Sequence, residues 1–258
     1  MNLAGRHAVV TGGSRGIGQA IAERLAQQGA RVSIISRTPC HGDRVGAPFH
    51  AAADVSKEEE VARAFAECRA ANGPISILVN NAGVVESAPL MRTSMEMWQR
   101  ILATNLTGTF LCTREAFDEM LLTKWGRIVN VASTAGLAGA PYIAAYCASK
   151  HGVIGLTRAL AAECAGTGVT VNAICPGYTE TGILRRAVEN ITTKTGRSEA
   201  ETRELLARNN PDGRIATVEE VADGVLRLIA GTDTGIALIV PGFTVSGAVP
   251  PQVRPDDR

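Results

Sequence analysis

HAVVTGGSRGIGQAIAERLAQQG, residues 7–29, decides the architecture of this chain. Its first five residues are an apolar run of the length of a buried strand. Gly12, Gly16 and Gly18 follow. Ile17, Ile21 and Leu25 then recur at helical spacing until Gly29 stops the pattern. Strand, glycine turn and helix in that order make a phosphate cradle. Glycines let the backbone approach a pyrophosphate, and the helix start offers unpaired N–H groups at the positive end of its dipole. Ser14 and Arg15 lie in the same turn, so both are candidates for the cradle wall. An α/β chain that opens with a dinucleotide-binding unit is expected.

The next segments extend the alternation. RVSIISR (residues 31–37) reads as a second strand whose end would meet the cofactor's ribose. An acidic residue there would bond the 2′-hydroxyl and select NAD. Ser36 and Arg37 stand there instead, and Arg15 reaches toward the same place, so two guanidinium groups fit a 2′-phosphate. NADP(H) is therefore favoured, with NAD(H) possible if both arginines are ordinary surface residues. Residues 38–48 are too short for the usual crossover helix and read as an irregular connection. FHAAADV (49–55) is a third strand ending in Asp54 and Val55. Ser56 with Glu59 reads as a capping box before a helix carrying Val61, Phe65 and Cys68. ISILVNNAG (75–83) is a fourth strand that brings Asn81, Ala82 and Gly83 to the same edge. Residues 94–122 read as a long helix that Asn105 interrupts with a local kink.

GRIVNVA (126–132) is a fifth strand and delivers Ser133 at its C-terminal end, where open α/β sheets place their ligand crevice. A helix starts near Ala144, so Tyr146 and Lys150 share one face, a turn apart. An ammonium beside a phenol favours the phenolate, and a hydroxyl arriving from the strand can bond the same substrate oxygen. Such a trio is equipped for general acid–base work. That helix is apolar on more than one side, which predicts burial on both faces, one of them against a partner subunit. VTVNAICPGYTET (169–181) is a sixth strand running into Pro176 and Gly177. Residues 181–210 turn polar and basic and read as a mobile flap over the crevice. Thr217 with Glu220 is a second capping box, and ALIV (237–240) is the seventh strand. Leu137, Ala138, Ile143, Tyr178, Ile183 and Leu184 would line an apolar substrate pocket.

The remaining features narrow the function by exclusion. The 258 residues are 45% hydrophobic and only 4% aromatic, so the core must be mainly Ala, Val, Leu and Ile. A net charge of +1 gives no reason to expect nucleic acid or an anionic membrane surface. No 18-residue apolar run predicts a membrane span, and the N-terminus lacks signal-peptide anatomy. Cys40, Cys68, Cys112, Cys147, Cys164 and Cys175 lie far apart without CxxC spacing. That suggests reduced thiols in a cytoplasmic protein, and no metal site. Residues from about 247 look like a loose tail on a single domain.

Taken together, TGGSRGIG (11–18), Asp54-Val55, NNAG (80–83), Asn105, Ser133, YCASK (146–150) and PGYTET (176–181) resemble the short-chain dehydrogenase/reductase family, in its single-domain branch. The likeness is greatest to 3-oxoacyl-thioester reductases and 3-hydroxyacyl-CoA dehydrogenases. The resemblance implies a Rossmann-like, doubly wound, seven-stranded parallel sheet of order 3-2-1-4-5-6-7 with helices on both faces. It implies a homotetramer, or a dimer, built on the helices of Asn105 and Tyr146. It makes Tyr146 the acid/base and gives Lys150 two tasks: lowering the tyrosine pKa and bonding the nicotinamide ribose. Ser133 would hold the substrate oxygen, and Asn105 would anchor a water in a proton relay. Thr181 and the backbone near Thr179 would bond the nicotinamide carboxamide. Gly12, Arg15, Ile17, Asp54 and Asn81 would line the rest of the groove. The implied reaction moves a hydride between NADP(H) and a carbonyl or secondary alcohol. The substrate would be a small molecule or a carrier-bound acyl group, with a 3-oxoacyl thioester on CoA or acyl-carrier protein favoured. An NAD-linked alcohol or sugar dehydrogenase is the alternative, and a non-catalytic cofactor sensor a more distant one. The sequence departs from the family in its short connection after Arg37 and in IVPGF (239–243), where an Asp-Gly-Gly ending is common.

Overall fold

The computed structural model describes residues 1–38 and 48–246. Most of the connection expected after Arg37, with Cys40 and His41, lies outside the described residues, as does the tail from 247.

Seven parallel strands run in the order β3-β2-β1-β4-β5-β6-β7. They are β1 (His7–Thr11), β2 (Arg31–Ile35), β3 (Phe49–Ala51), β4 (Ile75–Asn80), β5 (Gly126–Val131), β6 (Val169–Pro176) and β7 (Ala237–Val240). The order reverses between β1 and β4, and this switch point opens the crevice at the strands' C-terminal ends. The seven-stranded expectation is one strand short. A two-residue strand, β8 (Val245–Ser246), pairs antiparallel with β7. The IVPGF departure explains it: Gly242 takes φ 97° and Phe243 φ 48°, a left-handed turn that sends the chain back so that the Ile239 N–H reaches the Thr244 carbonyl at 2.8 Å.

Helices cover both faces. The helix α1 (Gly16–Gln27) packs on one face beside α8 (Val218–Ala230), where Ile21, Leu25, Val221 and Val225 meet Val10, Ile34 and Val79. On the other face lie α2 (Glu58–Asn72), α4 (Gly108–Leu122) and α5 (Ala144–Glu163). There Phe65, Leu111, Met120 and Ala161 bury Val9, Leu78 and Ile128. Strands covered on both faces carry apolar runs rather than alternation, and β1, β5 and β6 are buried at every position. Full burial of each Leu or Ile contributes about 1.5–3 kcal/mol, so these two layers dominate the stability.

Three local readings are corrected. The third strand stops at Ala51 rather than Val55, because the Asp54 carboxylate accepts hydrogen bonds from the Ser56 N–H at 3.0 Å and hydroxyl at 2.7 Å and turns the chain. The Ser56–Glu59 capping box is absent: Lys57 is the N-cap, and Glu60 instead accepts from the Asp54 N–H. The basic flap is two capped helices, α6 (Gly182–Thr195) and α7 (Glu199–Ala207), with a core of its own made by Leu184, Val188 and Leu206. Leu184 therefore does not line a substrate pocket. The Thr217–Glu220 box is present as read. The break at Asn105 is also present, as a π turn (Ala103–Thr107) between α3 (Met95–Leu102) and α4.

Candidate active site

Several chain segments meet at the C-terminal edge of the sheet. The glycine turn after β1 is fastened to the end of β4. The Asn81 amide donates to the carbonyls of Thr11 at 2.9 Å and Gly12 at 3.1 Å, while the Thr11 hydroxyl accepts from the N–H groups of Asn81 and Ala82. A Cβ on Gly18 would collide with the Asn81 amide and the Gly12 carbonyl, so helix and turn pack closer than any side chain permits. The start of α1 has no side-chain cap: Arg15 is the N-cap residue and makes no capping bond. The first N–H groups of the helix are thus left to a ligand. Gly16 takes φ 56°, a conformation that leaves this cradle open. Ser14 and Ile17 are part-buried in its wall.

Lys150 is buried at the centre of the crevice. Its ammonium donates to the Val131 carbonyl at the end of β5 at 2.7 Å, and a Cβ on Gly83 would sit 3.6 Å from it. Burial pulls its pKa down to about 8, with the Cys175 thiol pushing slightly the other way. Asn105 staples the neighbouring loop: its Oδ1 accepts from the Val84 N–H at 2.8 Å, and its Nδ2 donates to the Val84 carbonyl at 2.9 Å and to the Ser149 hydroxyl at 3.0 Å. The Thr109 hydroxyl donates to the Asn105 carbonyl, which takes up a backbone acceptor at the π turn. Ser149, next to Lys150, is thus part of the scaffold, and nothing in its helical spacing marked it.

The phenol of Tyr146 does not behave as the Tyr–Lys spacing suggested. Burial pushes it up to about 12; the Ser133 hydroxyl beside it offsets part of that rise, while Cys147, Cys175 and Tyr178 add to it. The Lys150 ammonium lies 5.7 Å from the ring centroid and gives one of its protons to the Val131 carbonyl. In this geometry burial is the largest influence on the Tyr146 phenol. Ser133 caps a short turn, accepting from the Ala135 N–H at 3.1 Å, and lies 3.4 Å from the Pro176 carbonyl at the end of β6.

The residues expected to face the adenosine are Arg15, Arg37, Asp54 and Val55. Both arginines are exposed. Burial opposes ionisation of Asp54, but the Ser56 hydrogen bonds, aided by Arg37 and Lys57, outweigh it and hold the carboxyl below its ordinary range. The Val55 side chain instead packs on Gly108, where a Cβ would come within 2.8 Å of it, so Val55 offers only backbone. Beyond β6, Gly177, Thr179 and Thr181 form the far wall. The Thr179 hydroxyl bonds the Gly177 carbonyl, and Thr181 caps α6.

Residues 6–192 match the family model described as short chain dehydrogenase. The chain belongs to the short-chain dehydrogenase family. It is 39% identical to a D-beta-hydroxybutyrate dehydrogenase of Rhizobium meliloti over 88% of this chain and 92% of that one. It is 37% identical to a 3-oxoacyl-(acyl-carrier-protein) reductase of Aquifex aeolicus, over 94% and 98%. A crystal structure of a variant actinorhodin polyketide ketoreductase with NADPH superposes with a TM-score of 0.83 at 36% identity, covering 91% of this chain and 95% of that one. The protein is thus an oxidoreductase acting on CH–OH or keto groups, and its family uses nicotinamide dinucleotides. The uncapped start of α1 and the glycine positions that no Cβ can enter fit the pyrophosphate of such a cofactor. Among the described residues no cluster of His, Cys, Asp and Glu suits a metal, and no helix is long and apolar enough to cross a membrane. Cys68, Cys112, Cys147 and Cys175 are buried free thiols.

Proposed function

We propose that this chain is an NADP(H)-dependent reductase of 3-oxoacyl thioesters carried on CoA or acyl-carrier protein. The observation that carries the chemistry is the Tyr146 phenol hydrogen-bonded to the Ser133 hydroxyl, with the Lys150 ammonium 5.7 Å from its ring. When bound, the reduced nicotinamide supplies a hydride to the substrate carbonyl carbon. Ser133 holds the carbonyl oxygen, and Tyr146 passes its proton to that oxygen as the C–O double bond becomes an alcohol. Lys150 presents its charge from beneath and bonds the nicotinamide ribose, while Asn105 anchors a water that returns the proton from solvent. Arg15 and Arg37, with no acid at the end of β2, support the 2′-phosphate. The names of the two relatives share one feature, an oxygen on the third carbon of an acyl chain, which supports the substrate class. We further propose that subunits pair through α4 and α5, where Phe110 is 43% exposed; sedimentation at a monomer mass would refute it.

A second reading, an NAD-linked dehydrogenase of 3-hydroxybutyrate, is favoured by the 39% relative. Comparing turnover with NADPH and NADH on acetoacetyl-CoA and on free acetoacetate separates the two. Arg37→Asp should raise the KM for NADPH about 10- to 100-fold, the worth of a charged hydrogen bond, and leave that for NADH unchanged or improved. A parent enzyme that prefers NADH, or that ignores the thioester, overturns the proposal.

A further inference from the structure

The last residue of the flap reaches back into the wall of the crevice. Asn210 is only 5% exposed. Its Oδ1 accepts from the Tyr178 N–H at 2.7 Å, and its Nδ2 donates to the carbonyls of Tyr178 at 2.8 Å and Arg214 at 2.6 Å. One amide thus satisfies both backbone groups of Tyr178, as a neighbouring strand would. Ala216 completes the imitation. Its N–H bonds the Tyr178 carbonyl, its carbonyl takes the Glu180 N–H, and Thr179 pairs with it in a parallel bridge. In a parallel bridge the flanking residues make the bonds, so the N–H of Thr179 itself points away from Ala216. The contact is tight enough to dictate sequence. A Cβ on Gly177 would collide with the Asn210 amide, and the three nearest atoms it would meet all belong to Asn210. Gly177 does not hold a positive φ, so the amide, not the backbone, demands a glycine there.

The flap therefore grows from Thr181 and is tied down again, through Asn210, to the residues just before its own start. Tyr178 lies close enough to Tyr146 to oppose its ionisation, so the tied segment also flanks the acid.

We propose that Asn210 is a positioning residue: it fixes the Gly177–Tyr178–Thr179 backbone so that Thr179 faces the nicotinamide end of the crevice, and it links the flap to that wall. The inference rests on the placement of the nicotinamide in the proposed function. The test is a double-mutant cycle of Asn210→Ala and Gly177→Ala, read by NADPH affinity, kcat, KM and thermal midpoint on the full chain. Asn210→Ala should lower kcat about 10- to 100-fold and weaken NADPH, the scale of an ångström-sized misplacement, while the KM for the acyl substrate moves little. Gly177→Ala should do similar damage. The double variant should be no worse than Asn210→Ala alone, because the new methyl then has room. If Asn210→Ala does not fold, Gly177→Ala alone still presses on the amide, and unchanged kcat and NADPH affinity there overturn the proposal. Losses that simply add, or a lowered thermal midpoint with kcat and NADPH affinity within about twofold of the parent, also overturn it and leave Asn210 a structural tie. Tyr146→Phe tests the proposed acid separately, so retained turnover in that variant defeats the proposed function without touching this cycle.

Discussion

Two buried bases sit at opposite edges of one sheet, and both have depressed pKa values. Lys150 lies at the C-terminal edge, and burial brings it down to about 8. His7 lies at the N-terminal edge, fully buried at the first position of β1, and burial lowers it from 6.5. The resemblance ends with their partners. Both ring nitrogens of His7 are occupied, Nδ1 by the Gly73 carbonyl at 2.7 Å and Nε2 by the Ser33 hydroxyl at 2.8 Å, and Ser33 in turn meets the Cys68 thiol and accepts from Asn72 at 2.9 Å. Lys150 has three protons and one protein acceptor, Val131, in a crevice walled by Ser133, Tyr146 and Gly83. A displaced pKa therefore does not mark a site by itself. What distinguishes the functional edge is unfinished hydrogen bonding beside an uncapped helix start.

The strongest way to break this comparison is at the acid. Tyr146→Phe keeps the ring and removes the proton, so steady-state turnover should fall by about 10²–10⁴-fold with NADPH binding nearly unchanged. Turnover close to that of the parent would dismiss Tyr146 as the acid. Lys150→Met comes next, with a loss of about a hundredfold or more in kcat. The parent's reduction rate should bend downward as pH rises through about 8, where Lys150 loses its charge. The bend should vanish in Lys150→Met; a bend that persists assigns it to another group.

The sequence made the functional edge legible because its signals are local. The glycine turn, YCASK and the Asn105 break each lie within a few residues, and their spacing reports geometry directly. The sheet order came through resemblance rather than residue pattern, since parallel strands buried on both faces carry no register signal. Long-range polar contacts left no trace. Asn210 contacts Tyr178 from 32 residues away, and Ser149 meets Asn105 from 44. Leu184 was misplaced because amphipathic spacing shows that a helix has an apolar face but not what that face covers. The Tyr146–Lys150 spacing was limited in a related way: i,i+4 places two side chains on one face, but the Val131 carbonyl decides where the ammonium points.

At the opposite edge the comparison predicts stability effects without kinetic ones. His7→Ala should cost about 2–4 kcal/mol through the cavity and the orphaned partners, with kcat unchanged. The pH dependence follows from the direction of the shift. Burial lowers the folded pKa, the Gly73 carbonyl opposes that, and Arg31 and Arg69 reinforce it. Below 6.5 the unfolded chain takes up a proton that the folded chain refuses. The contribution of His7 is therefore complete above pH 6.5 and shrinks as pH falls from there toward the folded value. Urea midpoints measured from pH 7.5 down to about 5.5 should fall more steeply in the parent than in His7→Ala. Equal slopes would show that His7 is not the group that titrates.

The smallest expected effect is at Asn72. Its amide donates to the Ser33 oxygen and occupies one of that oxygen's two lone pairs, while the Gly73 carbonyl, which can only accept, makes the imidazole an Nδ1–H donor and leaves Nε2 to accept from Ser33. Asn72→Ala removes one part-buried hydrogen bond and should cost about 1 kcal/mol, about 2–4 °C in thermal midpoint for a chain of this size. It should also free a lone pair on Ser33. With both lone pairs open, Ser33 accepts more readily from a protonated imidazole, so the acid-side fall in stability should become shallower. A variant that loses the 2–4 °C but keeps the parent's slope would mean that burial and the two arginines alone hold the proton off His7, and that the hydrogen-bond set merely orients the ring.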